Sequence, residues 1–343
     1  MNRDSEFMRE ALALARMGWG LTNPNPMVGA VIVKDGTIIG RGFHRKAGEA
    51  HAEINALSDA RRHGYDTTGA TLYVTLEPCS SYGRTPPCTE AIIGAGISRV
   101  VIGSMDPNPK HAGRAEEILQ AHNIQVDCGV ENADCWELNK HFFRWITSGR
   151  PFVMLKMAMT LDGKIACRNG QSRWVTGSEA RRRVQKLRRL ADAVMIGGGT
   201  LRADHPQLTV REPENWEKQP LRIIVSSTVS RDALDEYFPD GRAEVVELPD
   251  KEAWKTYLQE LGKRGITMLL IEGGGKLAAD ALRAGAVDFV EFHVAPKLLG
   301  GEESIPVLGG FSPESMDEAL VLRRVKSFNC GDDIVISGFL QEV

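Results

Sequence analysis

His51-Ala52-Glu53, Pro78-Cys79 and Cys88 constrain this chain more than any other feature, because they require three separate segments to converge on one point. One histidine and two cysteines are ligand types for zinc, which takes four tetrahedral ligands. A catalytic site supplies three from protein and leaves the fourth for water. Water held there ionises near neutral pH and becomes a nucleophile. Glu53 stands beside the ligand His51, close enough to carry a proton. A closed, structural zinc is the alternative and needs a fourth protein ligand. His44 is the nearest candidate, and its spacing fits no common finger pattern. We therefore expect a catalytic zinc at His51, Cys79 and Cys88, with Glu53 as the acid–base residue.

Each piece of the motif is weak alone. The order His-x-Glu, then Pro-Cys, then Cys is the signature of zinc deaminases. Such an enzyme also needs a proton carrier, which takes a proton from water and gives it to the leaving ammonia. Glu53 suits that role.

The first half of the chain reads as an α/β domain. Phe7, Ala11, Leu14 and Ala15 repeat at helical spacing. The turn-rich run Asn23-Pro24-Asn25-Pro26 follows, then an apolar strand from Val28 to Val33. Asp35-Gly36 makes a tight hairpin into Thr37-Ile38-Ile39. A helix should begin near Glu49 and carry His51 and Glu53 in its first turn. Thr71 to Leu76 is a buried strand, and Pro86-Pro87-Cys88 opens another helix with proline in its first turn. Val100-Val101-Ile102 and Ile124-Gln125-Val126 complete the sheet. Ligands at helix starts sit where the dipole stabilises thiolates.

Length and charge set limits. A chain of 343 residues exceeds one ordinary core and implies two domains. A net charge of -3 predicts no general affinity for nucleic acid or acidic membranes. Six cysteines in so long a chain do not form a disulfide scaffold. No apolar run reaches membrane-spanning length, and Asp4, Glu6 and Glu10 exclude a signal peptide at the N-terminus. The expected compartment is the cytoplasm.

The boundary falls near Trp145 to Arg150, which gives domains of 1–146 and 147–343. Beyond it, Phe152 to Lys156, Ala193 to Ile196, Leu221 to Val225, Met268 to Ile271 and Phe289 to Val294 alternate with helical stretches, so a mostly parallel sheet is expected. Asp333 to Leu340 reads as an antiparallel strand. Two glycine-rich turns, Gly197-Gly198-Gly199-Thr200 and Gly273-Gly274-Gly275-Lys276, follow strands. Such turns bring backbone N–H groups close to phosphate, with a helix dipole behind them. Neither matches G-x-G-x-x-G; two in one domain favour a dinucleotide. The helix with Arg181-Arg182-Arg183, Lys186 and Arg188-Arg189 is strongly basic but lacks interleaved aromatics, which argues against nucleic acid.

Five segments carry a family resemblance: Asn23 to Gly29, Gly48 to Glu53, Thr75 to Ser80, Gly83 to Cys88, and Asp106-Pro107-Asn108-Pro109 with Ala112-Gly113-Arg114. With Thr160-Leu161-Asp162-Gly163-Lys164 in the second half, the chain resembles the bifunctional riboflavin-biosynthesis deaminase/reductase family over nearly its whole length. The resemblance implies an α/β protein with two parts. One is a cytidine-deaminase-like three-layer α/β/α domain over 1–146. The other is a dihydrofolate-reductase-like α/β domain over 147–343. It implies Zn2+ and NADPH as cofactors. The implied reactions are loss of the 2-amino group of 2,5-diamino-6-(5-phosphoribosylamino)pyrimidin-4-one, then reduction of the ribosyl unit to ribityl. Carried over by position, it implicates Asn23 or Asn25 in reading the pyrimidine. It implicates Met159, Trp174, Thr200, Asp204, Ser227, Gly274, Gly275, Lys276, Leu277, Ala278, Ala279 and Asp280 in NADPH binding. Ser172, Arg188, Leu208, Arg211 and Glu272 would hold the substrate, with Arg188 and Arg211 on its phosphate. Arg84 and Lys46 are further phosphate candidates. Ser81 and Met159 depart from the family pattern, which more often has a histidine and a small residue there. The expected partners are small phosphorylated pyrimidines and further copies of the chain, with no nucleic acid and no membrane. Two other readings use the same motif: a deaminase of free nucleotides or tRNA fused to an unrelated reductase, and a zinc-stabilised binding module. The long gap between Cys79 and Cys88 and the acidic balance disfavour tRNA.

Overall fold

The computed structural model describes residues 3–82, 86–108, 112–310 and 312–341. It divides into two compact units, Met1–Ser148 and Gly149–Val343. No helix among the described residues is long and apolar enough to cross a membrane.

The first unit contains α1 (Arg3–Ala15), β1 (Gly29–Lys34), β2 (Thr37–Phe43), α2 (Ala52–Arg62), β3 (Thr71–Leu76), α3 (Cys88–Gly94), β4 (Arg99–Ser104), α4 (Arg114–Ala121), β5 (Gln125–Cys128) and α5 (Asn132–Ser148). Its five-stranded sheet has the order β2-β1-β3-β4-β5. Helix α1 buries Met8, Ala11, Leu12 and Ala15. The expected stripe through Phe7 and Leu14 is thus rotated: both are only partly buried, and Phe7 meets Tyr73 at 5.2 Å between ring centroids. Ala30, Ile32, Leu72, Val74, Val100 and Ile102 point to the opposite face and form one core with Ala52, Ala56 and Ala60 of α2, Ile92 of α3 and Leu119 of α4. Side chains of successive strand residues alternate faces, so helices cover both sides and three layers result. The β1–β2 hairpin closes at Lys34↔Thr37. Asp35 and Gly36 have φ of 53° and 76°, as the two-residue mirror-image turn requires.

One contact fixes α2. A Cβ on Gly42 would lie 2.3 Å from Ala52 O and Ala56 N, and one on Gly40 would lie 2.5 Å from Ala56 O. Bare glycines on β2 and alanines on α2 thus let backbone meet backbone. The helix itself starts at Ala52, with His51 as its N-cap residue in an extended conformation. The expected start near Glu49 is therefore corrected: of the motif residues, only Glu53 lies in the first turn. Pro87 likewise caps α3 from outside, and Cys88 is its first residue.

The second unit contains β6 (Phe152–Thr160), β7 (Lys164–Ala166), α6 (Ser178–Leu190), β8 (Ala193–Gly197), α7 (Gly198–Asp204), β9 (Leu221–Val225), α8 (Arg231–Tyr237), β10 (Ala243–Val246), α9 (Lys251–Lys263), β11 (Met268–Glu272), α10 (Gly275–Arg283), β12 (Phe289–Ala295), β13 (Ile305–Pro306), β14 (Arg323–Cys330) and β15 (Asp333–Phe339). The eight-stranded sheet has the order β10-β9-β8-β11-β6-β12-β15-β14. The first six strands pair in parallel; β15 runs antiparallel to β12 and β14 antiparallel to β15. Val153, Leu155 and Met157 pack with Trp254, Tyr257 and Leu258 of α9 and Leu277, Ala278 and Ala281 of α10. At the start of the unit, Asp288 is fully buried. Its carboxylate accepts two bonds from Arg150, at 3.0 and 2.7 Å, and one from Val153 N at 2.9 Å.

Gly42→Ala should push α2 off β2. Overpacking of this kind costs about 1–3 kcal/mol. We expect a lowered urea midpoint for the first unit and weaker retention of zinc on dialysis. An unchanged midpoint would mean that α2 is not seated through this contact.

Candidate metal centre and dinucleotide site

His51 caps α2, Cys79 follows β3 and Cys88 opens α3. The fold brings all three together: their ligand atoms lie within 4.8 Å of one another. His51 Nδ1 is 3.5 Å from Cys79 Sγ and 3.3 Å from Cys88 Sγ. Nitrogen and sulfur bound to one tetrahedral zinc at ordinary bond lengths stand ~3.5 Å apart. The donor set therefore fits zinc, with a fourth direction left over. His44 does not fill it. Its Nδ1 is 3.1 Å from the Ala50 carbonyl, to which it must donate, and its Nε2 then accepts from Asn25 Nδ2 at 3.1 Å.

The electrostatics follow from burial. The Cys88 thiol bonds to Cys79, which is pulled down to about 4 against the cost of burial; His51 and the Cys88 N–H add to the pull. The same bond and burial push Cys88 upward. Cys79 is thus the preformed thiolate, and a bound metal would displace the proton left on Cys88. Its bond to Cys79 raises His51. Glu53 is 3% exposed, and burial raises its carboxyl above the usual range while His51 pulls the other way. A carboxyl so placed holds a proton more readily than one in water.

The loop carrying Asn25 is held from behind by a residue the sequence did not point to. Asn139 is fully buried in α5, where the helix departs from helical angles. Its amide accepts from Met27 N and donates to Met27 O, both at 2.8 Å. Asn23 is buried, whereas Asn25 is half-buried and touches His44. Glu77 anchors the other side, accepting from the backbone of Asp106, Gly113 and Ala115. Lys46 is exposed. Arg84 and Pro109 lie outside the described residues.

In the second unit most of the cofactor candidates gather at the C-terminal ends of neighbouring parallel strands, where open α/β sheets bind ligands. Met159 ends β6, Thr200 follows β8, Ser227 follows β9 and Gly274 follows β11. The two glycine turns touch: a Cβ on Gly274 would lie 3.0 Å from Thr200 Oγ1. Gly273 and Gly274 have φ of 79° and 83°, open to glycine and costly for other residues. Gly275 meets the Pro306 carbonyl just as closely, at 2.7 Å from a notional Cβ. Lys276 and Ser227 are exposed, Leu277 and Ala278 are buried in the core, and Ala279 and Asp280 are half-buried. Leu277 and Ala278 therefore offer a cofactor their backbone alone. Trp174 is 62% exposed with Arg181 stacked at 4.5 Å, and Arg173 ties its loop to the Asp204 carbonyl at 2.8 Å. A glycine cradle with flanking hydroxyls fits a dinucleotide.

Two of the substrate candidates, Arg188 and Glu272, form one buried ion pair. Arg188 donates to both oxygens of Glu272, at 2.6 and 2.9 Å, and to the Thr209 carbonyl at 3.1 Å. Leu208 is buried with φ of 56°, and Gln185 accepts from Arg211 N at 2.8 Å. Arg211 is exposed, and Ser172 lies half-buried in the loop ahead of α6. The Arg188 fork is therefore already engaged by Glu272. Next to it stands Lys156, which sequence reasoning passed over. It pairs in register with Glu272 on one side and Glu291 on the other, is 9% exposed, and is lowered by burial against the pull of Glu272. A charged residue inside an otherwise apolar strand was the available signal.

Comparison with known proteins agrees with this architecture. The family model for the cytidine and deoxycytidylate deaminase zinc-binding region matches residues 1–104. The model for the RibD C-terminal domain matches residues 151–336. Riboflavin biosynthesis protein RibD of Aquifex aeolicus is 42% identical over 97% of this chain and 97% of its own length. That of Actinobacillus pleuropneumoniae is 41% identical over 97% and 94%. Among solved structures, Acinetobacter baumannii RibD superposes with a TM-score of 0.86 at 37% identity, covering 98% of both chains. A diaminohydroxyphosphoribosylaminopyrimidine deaminase/5-amino-6-(5-phosphoribosylamino)uracil reductase of Thermotoga maritima superposes with a TM-score of 0.83, at 37% identity and 98% coverage of both. Matched in both halves and along its whole length, the chain belongs to the RibD family of bifunctional riboflavin-biosynthesis enzymes.

Proposed function

We propose that residues 1–146 deaminate a phosphoribosylated diaminopyrimidine and that residues 147–343 then reduce the ribosyl unit of the deaminated product. The observation that carries this reading is the open donor set His51, Cys79 and Cys88 beside buried Glu53. The substrates are those in the name of the Thermotoga maritima relative. All six cysteines are free, in keeping with a cytoplasmic enzyme.

A zinc ion at this centre would supply a Lewis acid with an open fourth position. The chain does the rest. Glu53 takes a proton from the attacking water and hands it to the departing ammonia, and its raised affinity for protons suits both halves of that transfer. His44 accepts from the Asn25 amide nitrogen, which leaves the Asn25 amide oxygen as the atom to accept from a pyrimidine ring N–H. On this reading Asn25 rather than buried Asn23 is the one to read the pyrimidine, with Asn139 bracing the loop through Met27.

In the second unit NADPH would supply the hydride for C1′ of the opened ribosyl unit. The backbone of Gly274 and Gly275 approaches its phosphates, while Thr200, Ser227 and Lys276 flank them and Trp174 covers an exposed edge. Met159, near the end of β6, and Asp204, at the end of α7, are the further cofactor candidates of this unit. Arg211 takes the substrate phosphate. Arg188 acts through Glu272, which it holds rigid and charged, and ties the segment after Leu208 through the Thr209 carbonyl; Ser172 is a further candidate for the same substrate.

Three outcomes test this. Glu53→Gln should keep about one zinc per chain yet lose roughly 10²–10⁴-fold in deamination; near-normal ammonia release would remove Glu53 from the proton path. Cys79→Ala should abolish deamination while reduction of already deaminated substrate continues, followed by the loss of nicotinamide absorbance. Loss of both activities in a folded protein would refute the division of labour. Arg211→Ala should raise the KM of the phosphorylated substrate by about 10- to 150-fold, with NADPH affinity by fluorescence titration unchanged. Arg188→Ala should instead lower the unfolding midpoint of the second unit, because removing one member of a buried pair costs about 3–5 kcal/mol.

A further inference from the structure

The strand β9 runs out into three hydroxyl residues, Ser226-Ser227-Thr228, and an arginine from the neighbouring helix α7 reaches them. Ser226 Oγ accepts from Thr228 N at 3.1 Å and from Val229 N at 3.2 Å, which bends the chain directly after the strand. Gly198 lets this bend close on α7, since a Cβ there would lie 2.6 Å from Ser226 Oγ. Arg202 of α7 donates through Nη1 to Thr228 Oγ1 at 3.2 Å. A second contact ties the same two segments together. His205, the C-cap residue of α7, stacks on Tyr237 of α8 with ring centroids 5.1 Å apart. The arginine is therefore placed by its surroundings rather than trailing from the surface.

Its remaining donors are open. Among the described residues Arg202 meets no carboxylate, and Thr228 engages one of its five N–H groups. Ser227 is exposed beside it, and among the described residues nothing takes up its hydroxyl or its N–H. A planar guanidinium with free donors, next to hydroxyls and away from acids, is a donor set for a phosphate.

The place of this set in the sheet says which phosphate. β9 lies two strands from β11 and its glycine turn, with β8 and Thr200 between them, a separation of roughly 10 Å. A pyrophosphate held at the Gly274 turn leaves the adenosine ribose to extend toward β9. Dinucleotide sites divide at that ribose. A carboxylate holds the free 2′-hydroxyl of NAD, whereas an arginine accommodates the 2′-phosphate of NADP. Here no acid stands between Val225 and Arg231, and the first to follow is Asp232.

We propose that Arg202, held in place by Thr228, binds the 2′-phosphate of NADPH together with the Ser227 hydroxyl, and so makes the second unit prefer NADPH to NADH. The inference rests on the reading of this unit as a dinucleotide-dependent reductase.

Equilibrium titration of the full chain with NADPH and with NADH, followed by nicotinamide fluorescence, tests it without any turnover. Wild type should bind NADPH about tenfold or more tightly than NADH. Arg202→Ala should weaken NADPH about tenfold and leave NADH unchanged, with unchanged circular dichroism because the residue is exposed. Arg202→Lys should recover part of the loss, since a point charge still attracts the phosphate but lacks the fork. Thr228→Val should weaken NADPH by about two- to tenfold, again without effect on NADH. Equal losses for both cofactors in Arg202→Ala, or a preference for NADPH that survives it, would overturn this assignment and leave the reductase reading standing. A wild type that binds neither dinucleotide would overturn both.

Discussion

The metal centre depends on how closely α2 lies against β2. Gly40 and Gly42 present bare backbone, and Ala52 and Ala56 meet it with nothing larger than a methyl group. This contact sets the height of the helix over the sheet. His51 and Glu53 sit at the very end of that helix, so their positions inherit its precision. Cys79 and Cys88 reach the same point from β3 and α3, which share the core beneath α2. A shift of an ångström in one helix would separate nitrogen from sulfur by more than zinc bond lengths tolerate.

The second unit solves a different problem, the burial of charge. Lys156 lies between Glu272 and Glu291 across three adjacent strands. Arg188 holds the first carboxylate and Arg183 the second, the latter through two bonds of 2.7 Å. Burial would raise Glu291, but the bonds from His293 and Arg183 bring it down to about 2. Every member of the row has an opposite neighbour, as buried ions require. Because α6 carries both arginines, its basic character serves the interior as much as the surface. The same helix therefore braces the sheet through its charged side chains.

Some of this was legible in the sequence and some was not. The ligand triad could be read because the chemistry of zinc admits few residue types. The hairpin at Asp35-Gly36 and the strand Thr71–Leu76 could be read because turn residues and apolar runs are local signals. Of the stripe expected on α1, Ala11 and Ala15 are buried while Met8 and Leu12 take the places of Phe7 and Leu14, since all four look equally apolar and only tertiary packing selects between them. The start of α2 lies later than the sequence suggests because glycine and glutamate near position 49 imitate a helix opening, whereas His51 is an extended N-cap residue that turns its ring to Cys79 and Cys88. β14 gave no signal, since Arg323-Arg324-Val325-Lys326 lacks the alternation of a half-buried strand. Arg188 announced itself as a cation, but its partner Glu272 lies 84 residues away. The clamp of Asn139 on Met27 spans 112 residues, and no spacing rule reaches that far.

All three candidate metal ligands fall within the first 88 residues, and the unit that holds them ends at Ser148. A chain leaves the ribosome N-terminus first, and domains fold as units in that order. The first unit is therefore complete while the second is still being translated. The ligands arrive in the order His51, Cys79, Cys88, and the last of them opens a helix that cannot pack until β3 is in place. The candidate metal site would be assembled during synthesis, before the sheet of the second unit exists.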